Sequence, residues 1–126
     1  MTDLPDPLEG AIFYEDEYVY VCLANFPLTA GHTVVVWKDR VSDLHLLKRE
    51  DYDYLMDIVD QARNTLLATL NIDKVYLMYM DEIKHVHWHL IPRYDEAGFN
   101  VLTHAPTQLA DTTLADALRS RWESHI

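Results

Sequence analysis

The chain has 126 residues, of which 49% are hydrophobic and 25% are charged, a mixture that suits one compact globular domain rather than a disordered chain. Its 21 acidic and 10 basic residues give a formal net charge of −11, which repels a nucleic-acid backbone and disfavours nucleic acid as a partner. A small anionic ligand stays open, because a local pocket can oppose the sign of the whole molecule.

The N-terminal segment "MTDLPDPLE" is predicted to be a loose arm, since it holds two prolines and several acids. It lacks the basic and apolar regions of a secretory leader, and no apolar run approaches the roughly 20 residues that span a bilayer. Cys22 is the only cysteine, so no intramolecular disulfide can form. We therefore expect a soluble, cytoplasmic protein without a membrane partner, in which Cys22 is a buried small side chain rather than a nucleophile.

Three strands are predicted before the first long helix. The stretch "AIFYEDEYVYVCLA" favours two strands joined at Glu15–Glu17, the second running from about Tyr18 to Ala24. The turn-forming "NFPLTAG" follows, and the β-branched run His32–Lys38 predicts the third strand. The next segment, "VSDLHLL", is typical of a short helical turn.

Residues 49–70 predict an amphipathic helix, with acids in the first turn and Asn71 as the end signal. Its apolar residues recur at spacings of three and four, which places them on one helix face: Leu55, Ile58, Val59, Ala62, Leu66 and Leu70.

Two further strands are predicted after this helix. Lys74–Met80 is apolar on both faces, so we expect the helix to cover one face and a second subunit to be a candidate for the other. Only four residues separate it from a strand at about His85–Ile91, which predicts an antiparallel hairpin, and Pro92 is expected to end that strand. The tail is predicted to be irregular up to a last helical segment, Leu114–Glu123.

These elements predict a single α+β domain over residues 1–126. The expected architecture is an antiparallel sheet of about five strands with one long amphipathic helix and short additional helices. No internal repeat, low-complexity tract or domain boundary interrupts the chain.

The stretch "KHVHWHLIPRY", residues 84–94, places His85, His87 and His89 at every second position. A strand points alternate side chains to opposite faces, so the three histidines share a face. The row could be accidental and solvent-exposed, or it could bind zinc with His32 or an acid as a further ligand. Three successive positions spread along about 13 Å, however, which is awkward for a single ion.

Nucleophilic chemistry suits the row better. An imidazole can attack phosphorus and form a covalent phosphoramidate that water then hydrolyses. The attacking ring must be held in one tautomer, and hydrogen-bond donors must surround the phosphate oxygens. A cluster of histidines that titrates near neutral pH supplies these roles without a metal.

The stretch "HVHWHLIPR" resembles the H-φ-H-φ-H-φ-φ signature, where φ is apolar, of the histidine triad (HIT) superfamily of nucleotide hydrolases and transferases. The segment "NFPLTAGHTVVVWKDRVSDLHLL" is similar to the upstream part of the same family. The resemblance covers roughly residues 11–95, implies a HIT-like fold, and leaves residues 96–126 as a C-terminal extension with Trp122 as a candidate anchor over the site of the same or a partner subunit.

The resemblance implies roles for five polar residues. His87 matches the nucleophile, and His85 matches the first triad histidine, whose backbone carbonyl orients the ring of the nucleophile. His89 matches the histidine that contacts phosphate, and His32 the upstream histidine of the proton network. Asn25 matches a position that reaches the ribose and phosphate.

The resemblance also implies further contacts and partners. Phe13 and Leu23 are candidates for the base pocket, with plain core packing as the alternative for both. Lys84 and Arg93 bracket the triad strand and either steer phosphate or are solvated charges at the strand ends. No cofactor or protein-bound metal is required, although a divalent cation could accompany the substrate. A homodimer joined through the long helix and the strand Lys74–Met80 is implied.

One loop departs from the family pattern. Asp81 and Glu82 stand where many members carry a neutral donor to phosphate. The two acids form either a solvated turn or, as a hypothesis, a charge pair that raises the pKa of His85 or His89.

The expected function is cleavage at the α-phosphate of a nucleoside 5′-phosphate derivative through a nucleotidyl-histidine. The substrate is expected to be a dinucleoside polyphosphate or a nucleoside phosphoramidate. The alternatives are a slow or non-catalytic purine-nucleotide-binding protein of the same fold and a zinc-dependent protein that uses the histidine cluster.

Overall fold

The computed structural model describes residues 4–124 and confirms the α+β class. In chain order its elements are β1 (Ile12–Glu15), β2 (Val19–Leu23), β3 (Thr33–Trp37), α1 (Arg49–Leu70), β4 (Lys74–Tyr79), β5 (His87–Arg93), α2 (Phe99–Leu102) and α3 (Thr113–Glu123). A 3₁₀ turn at Leu44–Leu46 matches the short helical segment that "VSDLHLL" predicts.

The strands form one antiparallel sheet in the order β1-β2-β3-β5-β4. The histidine strand β5 is therefore internal and has β3 on one side and β4 on the other. The hairpin between β4 and β5 is present as predicted, with Lys74 opposite Arg93 and Tyr79 opposite Trp88. An internal position holds the histidines rigidly, because both backbone edges of β5 are paired over most of its length.

Helix α1 covers one face of the sheet with the predicted apolar stripe. Its buried residues are Leu55, Ile58, Val59, Ala62, Thr65 and Leu66. The helix ends at Asn71, whose left-handed backbone (φ 55°) is a common way to terminate a helix. Glu50 and Asp51 lie in its first turn, where the helix dipole favours negative charge.

Pro92 does not end the triad strand, contrary to the prediction, because β5 continues to Arg93. The register pairs Pro92 with Val75 of β4. The carbonyl of Pro92 accepts a hydrogen bond from Thr29 Oγ1 at 2.7 Å, so its backbone polar atoms face away from β4. Pairing with β3 has already stopped at Leu90 on that side, so the missing N–H removes no ladder bond.

The C-terminal extension adds two helices, of which α2 is not predicted by the sequence pattern. Helix α3 packs beside α1 against β1 and carries Trp122, which is only 2% exposed. The Trp122 ring stacks on Tyr14 with centroids 4.4 Å apart and meets Phe13 edge-on at 6.2 Å. Trp122 is therefore anchored in the core on the α1 side of the sheet. Within residues 4–124 no helix is long and apolar enough to cross a membrane.

Candidate active site

Three histidines gather on the sheet face opposite α1. His87 and His89 extend from β5, and their strand partners on β3 are Val36 and Val34. His32, one residue before β3, brings its ring to His89, with centroids 5.1 Å apart; the His87 and His89 rings are also 5.1 Å apart. The alternation that places the histidines here sends Val86 and Leu90 into the core.

The tautomer of His87 follows from its hydrogen bond. Its Nδ1 lies 2.7 Å from the backbone carbonyl of His85. A carbonyl oxygen only accepts, so Nδ1 carries the proton and Nε2 keeps its lone pair. His87 is 4% exposed, and its ring borders the cavity described below. The geometry therefore prepares Nε2 for nucleophilic attack and agrees with the role that the resemblance implies.

A second chain of hydrogen bonds determines the tautomers of His32 and His89. The backbone N–H of Leu28 donates to His32 Nδ1 at 3.0 Å, so the proton of neutral His32 is on Nε2. That Nε2 lies 2.9 Å from His89 Nδ1, which must accept. Neutral His89 therefore carries its proton on Nε2, the nitrogen that is left to donate to a bound phosphate oxygen.

Burial keeps His32 and His89 uncharged at neutral pH. Desolvation, followed by the charge of His89, lowers the pKa of His32 to about 3. Desolvation, followed by the charge of His87, lowers the pKa of His89 to about 4. The hypothesis that neighbouring acids raise the pKa of His89 is therefore wrong, because loss of water outweighs any distant carboxylate.

The acidic loop before β5 is held by its own contacts. Asp81 accepts a hydrogen bond from the Tyr79 hydroxyl at 2.6 Å, and its carbonyl accepts from the Lys84 N–H at 2.7 Å. The Tyr79 hydroxyl also accepts from Leu44 N at 3.0 Å, which ties the loop to the segment before α1. Lys84 is exposed with a left-handed backbone (φ 58°) and does not border the cavity, contrary to its predicted role in substrate binding.

The imidazoles open onto a mostly apolar cavity of about 190 Å³ between the histidine face and the N-terminal arm. Its lining residues are Leu4, Pro5, Pro7, Tyr20, Cys22, Leu23, Ala24, Asn25, Phe26, His32, Val34, Val36, His87 and His89. Asn25 borders it as predicted, and its amide donates to the carbonyl of Asp6 at 3.0 Å, which ties the arm to the site.

The two predicted base-pocket residues differ in position. Leu23 borders the cavity but is 2% exposed, and its register with Thr33 and Leu90 directs its side chain to the core. Phe13 packs against Trp122 in the core and does not line the cavity, so it follows the core-packing alternative and not the base-pocket one. The alternating pattern of β1 was compatible with either face, and only the packing of α3 decides it.

Arg93 is the last residue of β5, whereas His85 lies two residues before the strand begins, contrary to the prediction that all three histidines extend from it. The ring of His85 donates from Nε2 to the Trp37 carbonyl at 2.6 Å, and its own carbonyl orients His87. Arg93 lies 3.4 Å from Asp73 in an ion pair away from the cavity.

The sequence pattern missed several cavity residues. Tyr20 and Val36 lie in one row with His87 across three strands, and Phe26, which is 57% exposed, stands at the cavity wall. Alternation in "VYVCLA" places Tyr20 and Cys22 on one face, but nothing in it shows that this face meets the histidines. Cys22 is buried as predicted, and burial raises the pKa of its thiol to about 12.

The zinc alternative lacks a ligand set in residues 4–124. No group of three histidine, cysteine, aspartate or glutamate side chains there is arranged to hold a metal ion. His32 and His89 use nitrogen atoms to bind each other, and His87 uses Nδ1 to bind a carbonyl.

Comparison with known proteins decides the family. The family model of the HIT domain matches residues 7–96. The chain belongs to the HIT family. An uncharacterized HIT-like protein of Methanocaldococcus jannaschii is 30% identical over 99 residues, which cover 72% of this chain and 74% of that one. HIT proteins form a superfamily of nucleotide-binding proteins and nucleotide hydrolases.

Solved HIT structures share the fold at low sequence identity. A hypothetical histidine triad nucleotide-binding protein of Sulfolobus tokodaii strain7 gives a TM-score of 0.76 at 22% identity, covering 93% of this chain and 86% of that one. A diadenosine triphosphate hydrolase of Plasmodium falciparum in complex with Cyclomarin A gives 0.68 at 18% identity, covering 92% and 78%. These likenesses confirm the HIT architecture.

Acid should destabilise this HIT domain through its buried histidines. In the unfolded chain His32 takes up a proton near its ordinary pKa of 6.5, whereas the folded protein keeps it neutral down to about 3. The unfolded state then binds more protons, so this contribution to stability is fully present above pH 6.5 and is lost as the pH falls toward 3. His32 alone should remove about 2 kcal/mol from the free energy of unfolding by about pH 5.

Urea unfolding at a series of pH values measures this effect. The matched variant His32→Gln, which has no titrating ring, is expected to show a shallower loss of stability between neutral and mildly acidic pH. If the free energy of unfolding falls with pH equally in the two proteins, His32 is not the source of the acid sensitivity.

Proposed function

We propose that this HIT protein is a hydrolase or nucleotidyl transferase that cleaves at the α-phosphate of a nucleoside 5′-phosphate derivative through a covalent nucleotidyl-histidine. The observation that carries the proposal is the hydrogen bond of 2.7 Å between His87 Nδ1 and the carbonyl of His85. It leaves Nε2 of His87 as a lone pair at the cavity, which is the state an attacking imidazole needs.

In the proposed first step His87 Nε2 attacks the α-phosphorus and forms a P–N bond. The bond to the leaving group breaks with its electron pair, and the leaving group takes a proton from the histidine network. His89 donates its Nε2–H to a phosphate oxygen where negative charge develops. An anionic phosphate next to His32 and His89 also favours their protonated forms, so substrate binding raises the lowered pKa values of these two rings toward neutrality.

In the second step water attacks phosphorus and gives a proton back to the histidine network, which replaces the one the leaving group took. The P–N bond breaks with its electron pair on Nε2, and His87 is regenerated as the nucleoside monophosphate leaves. The same intermediate serves a transferase if another acceptor replaces water. A dinucleoside polyphosphate and a nucleoside phosphoramidate both fit this chemistry. No cofactor is required in the proposal, although a divalent cation can accompany a polyphosphate substrate.

Rapid quench with a panel of nucleotides labelled at the α-phosphate tests the proposal. We expect acid-labile label on the protein within the first turnover and release of labelled monophosphate afterwards. Absence of label from the protein with every substrate that it hydrolyses would contradict the covalent route. Binding of nucleotide without hydrolysis would favour the non-catalytic alternative.

The homodimer is part of the proposal. Strand β4 forms a sheet edge. Leu77 lies within β4 and Met80 directly follows it, and the two residues are 37% and 53% exposed. An unpaired edge with apolar side chains is a surface that a second strand can cover. Sedimentation equilibrium of the native protein measures the oligomeric state, and a Met80→Lys variant should shift a dimer toward monomer.

Phe26 is expected to bind the nucleobase by stacking. Its ring is 57% exposed at the wall of the cavity and follows Asn25 directly. Stacking of a base on an aromatic side chain is typically worth about 1–3 kcal/mol, so Phe26→Ala should raise KM about 10-fold and leave kcat within about 2-fold. Steady-state kinetics with Leu46→Ala as control checks this, because Leu46 is equally exposed at 57% and lies outside the cavity. A selective loss of kcat would contradict the stacking role.

A further inference from the structure

The turn that precedes β3 carries a backbone group on which the histidine cluster depends. Leu28 contributes the N–H that fixes the tautomer of His32, and through His32 that of His89. The side chain of Leu28 has no part in this. The position of the Leu28 backbone is what matters, and a turn needs external contacts to hold its backbone in one place.

The C-terminal extension supplies such a contact at the same residue. His104, which follows α2, has its Nδ1 3.0 Å from the carbonyl oxygen of Leu28. Its Nε2 forms a hydrogen bond and ion pair with the Glu96 carboxylate. Both partners only accept, so both ring nitrogens of His104 donate and the ring is an imidazolium. These two contacts, Glu96 first and Leu28 second, hold the pKa of His104 above its ordinary value.

Other contacts attach the turn to the same part of the chain. The Tyr94 hydroxyl donates to the Ala30 carbonyl at 2.6 Å, and Leu109 N donates to the Asn25 carbonyl at 2.7 Å. His104 differs from these because it binds the residue whose N–H contacts the histidine network. Its side chain is 37% exposed and does not line the cavity.

We propose that His104 and Glu96 form a positioning pair that holds Leu28 and thereby sets the tautomers of His32 and His89. The series of hydrogen bonds runs from Glu96 through His104 to the Leu28 carbonyl, and from the Leu28 N–H, in the adjoining peptide unit, through His32 to His89. The inference rests on the proposed function for its catalytic consequence, but the tautomers themselves are a property of the free protein.

The chemical consequence of the pair is seen when the donor and acceptor roles of these hydrogen bonds are reversed. If Leu28 N–H moves away, His32 can place its proton on Nδ1 and accept at Nε2. His89 would then donate from Nδ1 and present a lone pair at Nε2. A lone pair facing a phosphate oxygen is repulsive, whereas the N–H of the native tautomer stabilises the developing charge. The positioning pair therefore selects the donor form of His89.

NMR spectroscopy of ring nitrogens in the free protein tests the tautomers directly. Long-range ¹H–¹⁵N spectra at neutral pH distinguish a protonated from an unprotonated imidazole nitrogen. We expect one tautomer in the native protein, with unprotonated Nδ1 in both His32 and His89. In His104→Leu we expect a mixture of tautomers at His32. In His104→Asn, whose amide can still donate to the Leu28 carbonyl, the single tautomer should return.

Kinetics supply the second measurement. His104→Leu is expected to lower kcat about 3- to 10-fold with KM within about 2-fold, since a modest shift of a catalytic group costs rate more than binding. Glu96→Ala should give a smaller loss in the same direction, while Glu96→Gln, which keeps an oxygen acceptor, should remain closer to native. If the pair were purely structural, the variants would lose stability, but Glu96→Gln and Glu96→Ala would not differ in kcat and His104→Asn would not restore the single tautomer.

The two proposals fail in different ways. A native tautomer pattern in His104→Leu would overturn the positioning role whatever the enzyme does with nucleotides. A protein that hydrolyses no nucleotide, yet shows the tautomer mixture in His104→Leu, would contradict the proposed function and support the positioning role.

Discussion

Replacement of His87 by alanine is expected to lower kcat on the best nucleotide substrate by about 10⁴-fold or more, and to abolish covalent label in a rapid-quench experiment. His87 is the attacking group in the proposed mechanism, because the carbonyl of His85 binds its Nδ1 and leaves Nε2 free at the cavity. Of the two other imidazoles that border the cavity in the described part of the chain, neither can replace it without moving, because His32 and His89 are hydrogen-bonded to each other.

His85→Ala is the matched control for this prediction. The group that orients His87 is the backbone carbonyl of residue 85, which alanine retains, while the lost ring contacts only the Trp37 carbonyl. We therefore expect a loss of about 10-fold or less and retention of the label. Equal losses in the two variants would show that the His85 ring acts in the chemistry and would contradict this division of roles.

Replacement of Trp122 by alanine should lower the free energy of unfolding by about 3–5 kcal/mol, the usual cost of removing a large buried aromatic side chain. Trp122 is 2% exposed, stacks on Tyr14 and closes the core over Phe13. Its removal leaves a cavity between α3 and β1 that the neighbouring side chains fill only in part.

Urea unfolding measures this loss, with Glu123→Ala as the control on the same helix. Glu123 is exposed, so its removal should change stability by no more than about 0.5 kcal/mol. A loss below about 1 kcal/mol for Trp122→Ala would show that α3 is dispensable to the core. Turnover measured at a temperature where the variant is folded should remain near native, because α3 lies on the sheet face opposite the histidines.

Most secondary structure was predictable because its signals are local. Periods of three and four define α1, whose bounds Arg49 and Leu70 agree with the prediction, and Asn71 ends it in the left-handed conformation. Alternation identifies the strands to within one or two residues. Helix α2 escaped prediction because its four residues are too few for any periodic pattern.

The errors occur where local patterns are ambiguous. Proline at position 92 favours a strand end, but its backbone faces the side where pairing has already stopped. Phe13 fits either face of β1, and Trp122 draws it into the core. The position of Asp81 in the sequence suggests a carboxylate that acts on the triad. In the structure this carboxylate accepts a hydrogen bond from the Tyr79 hydroxyl, and burial lowers the pKa of His89.

The sequence by itself determined the elements other than α2, the shared face of His87 and His89 and the family to which the chain belongs, because strand geometry turns a period of two into one face. The predicted third member of that face, His85, precedes the strand instead. The tertiary structure alone decided which nitrogen of each imidazole carries a proton. That choice depends on how the backbone turns around each ring, as for the Leu28 N–H that donates to His32, and on the contact between His32 and His89, which lie 57 residues apart. It also depends on the loss of water around the rings. Contacts between distant segments also brought the arm, Phe26 and Tyr20 to the cavity. Such contacts depend on how the elements pack together, and no local pattern in the sequence records them.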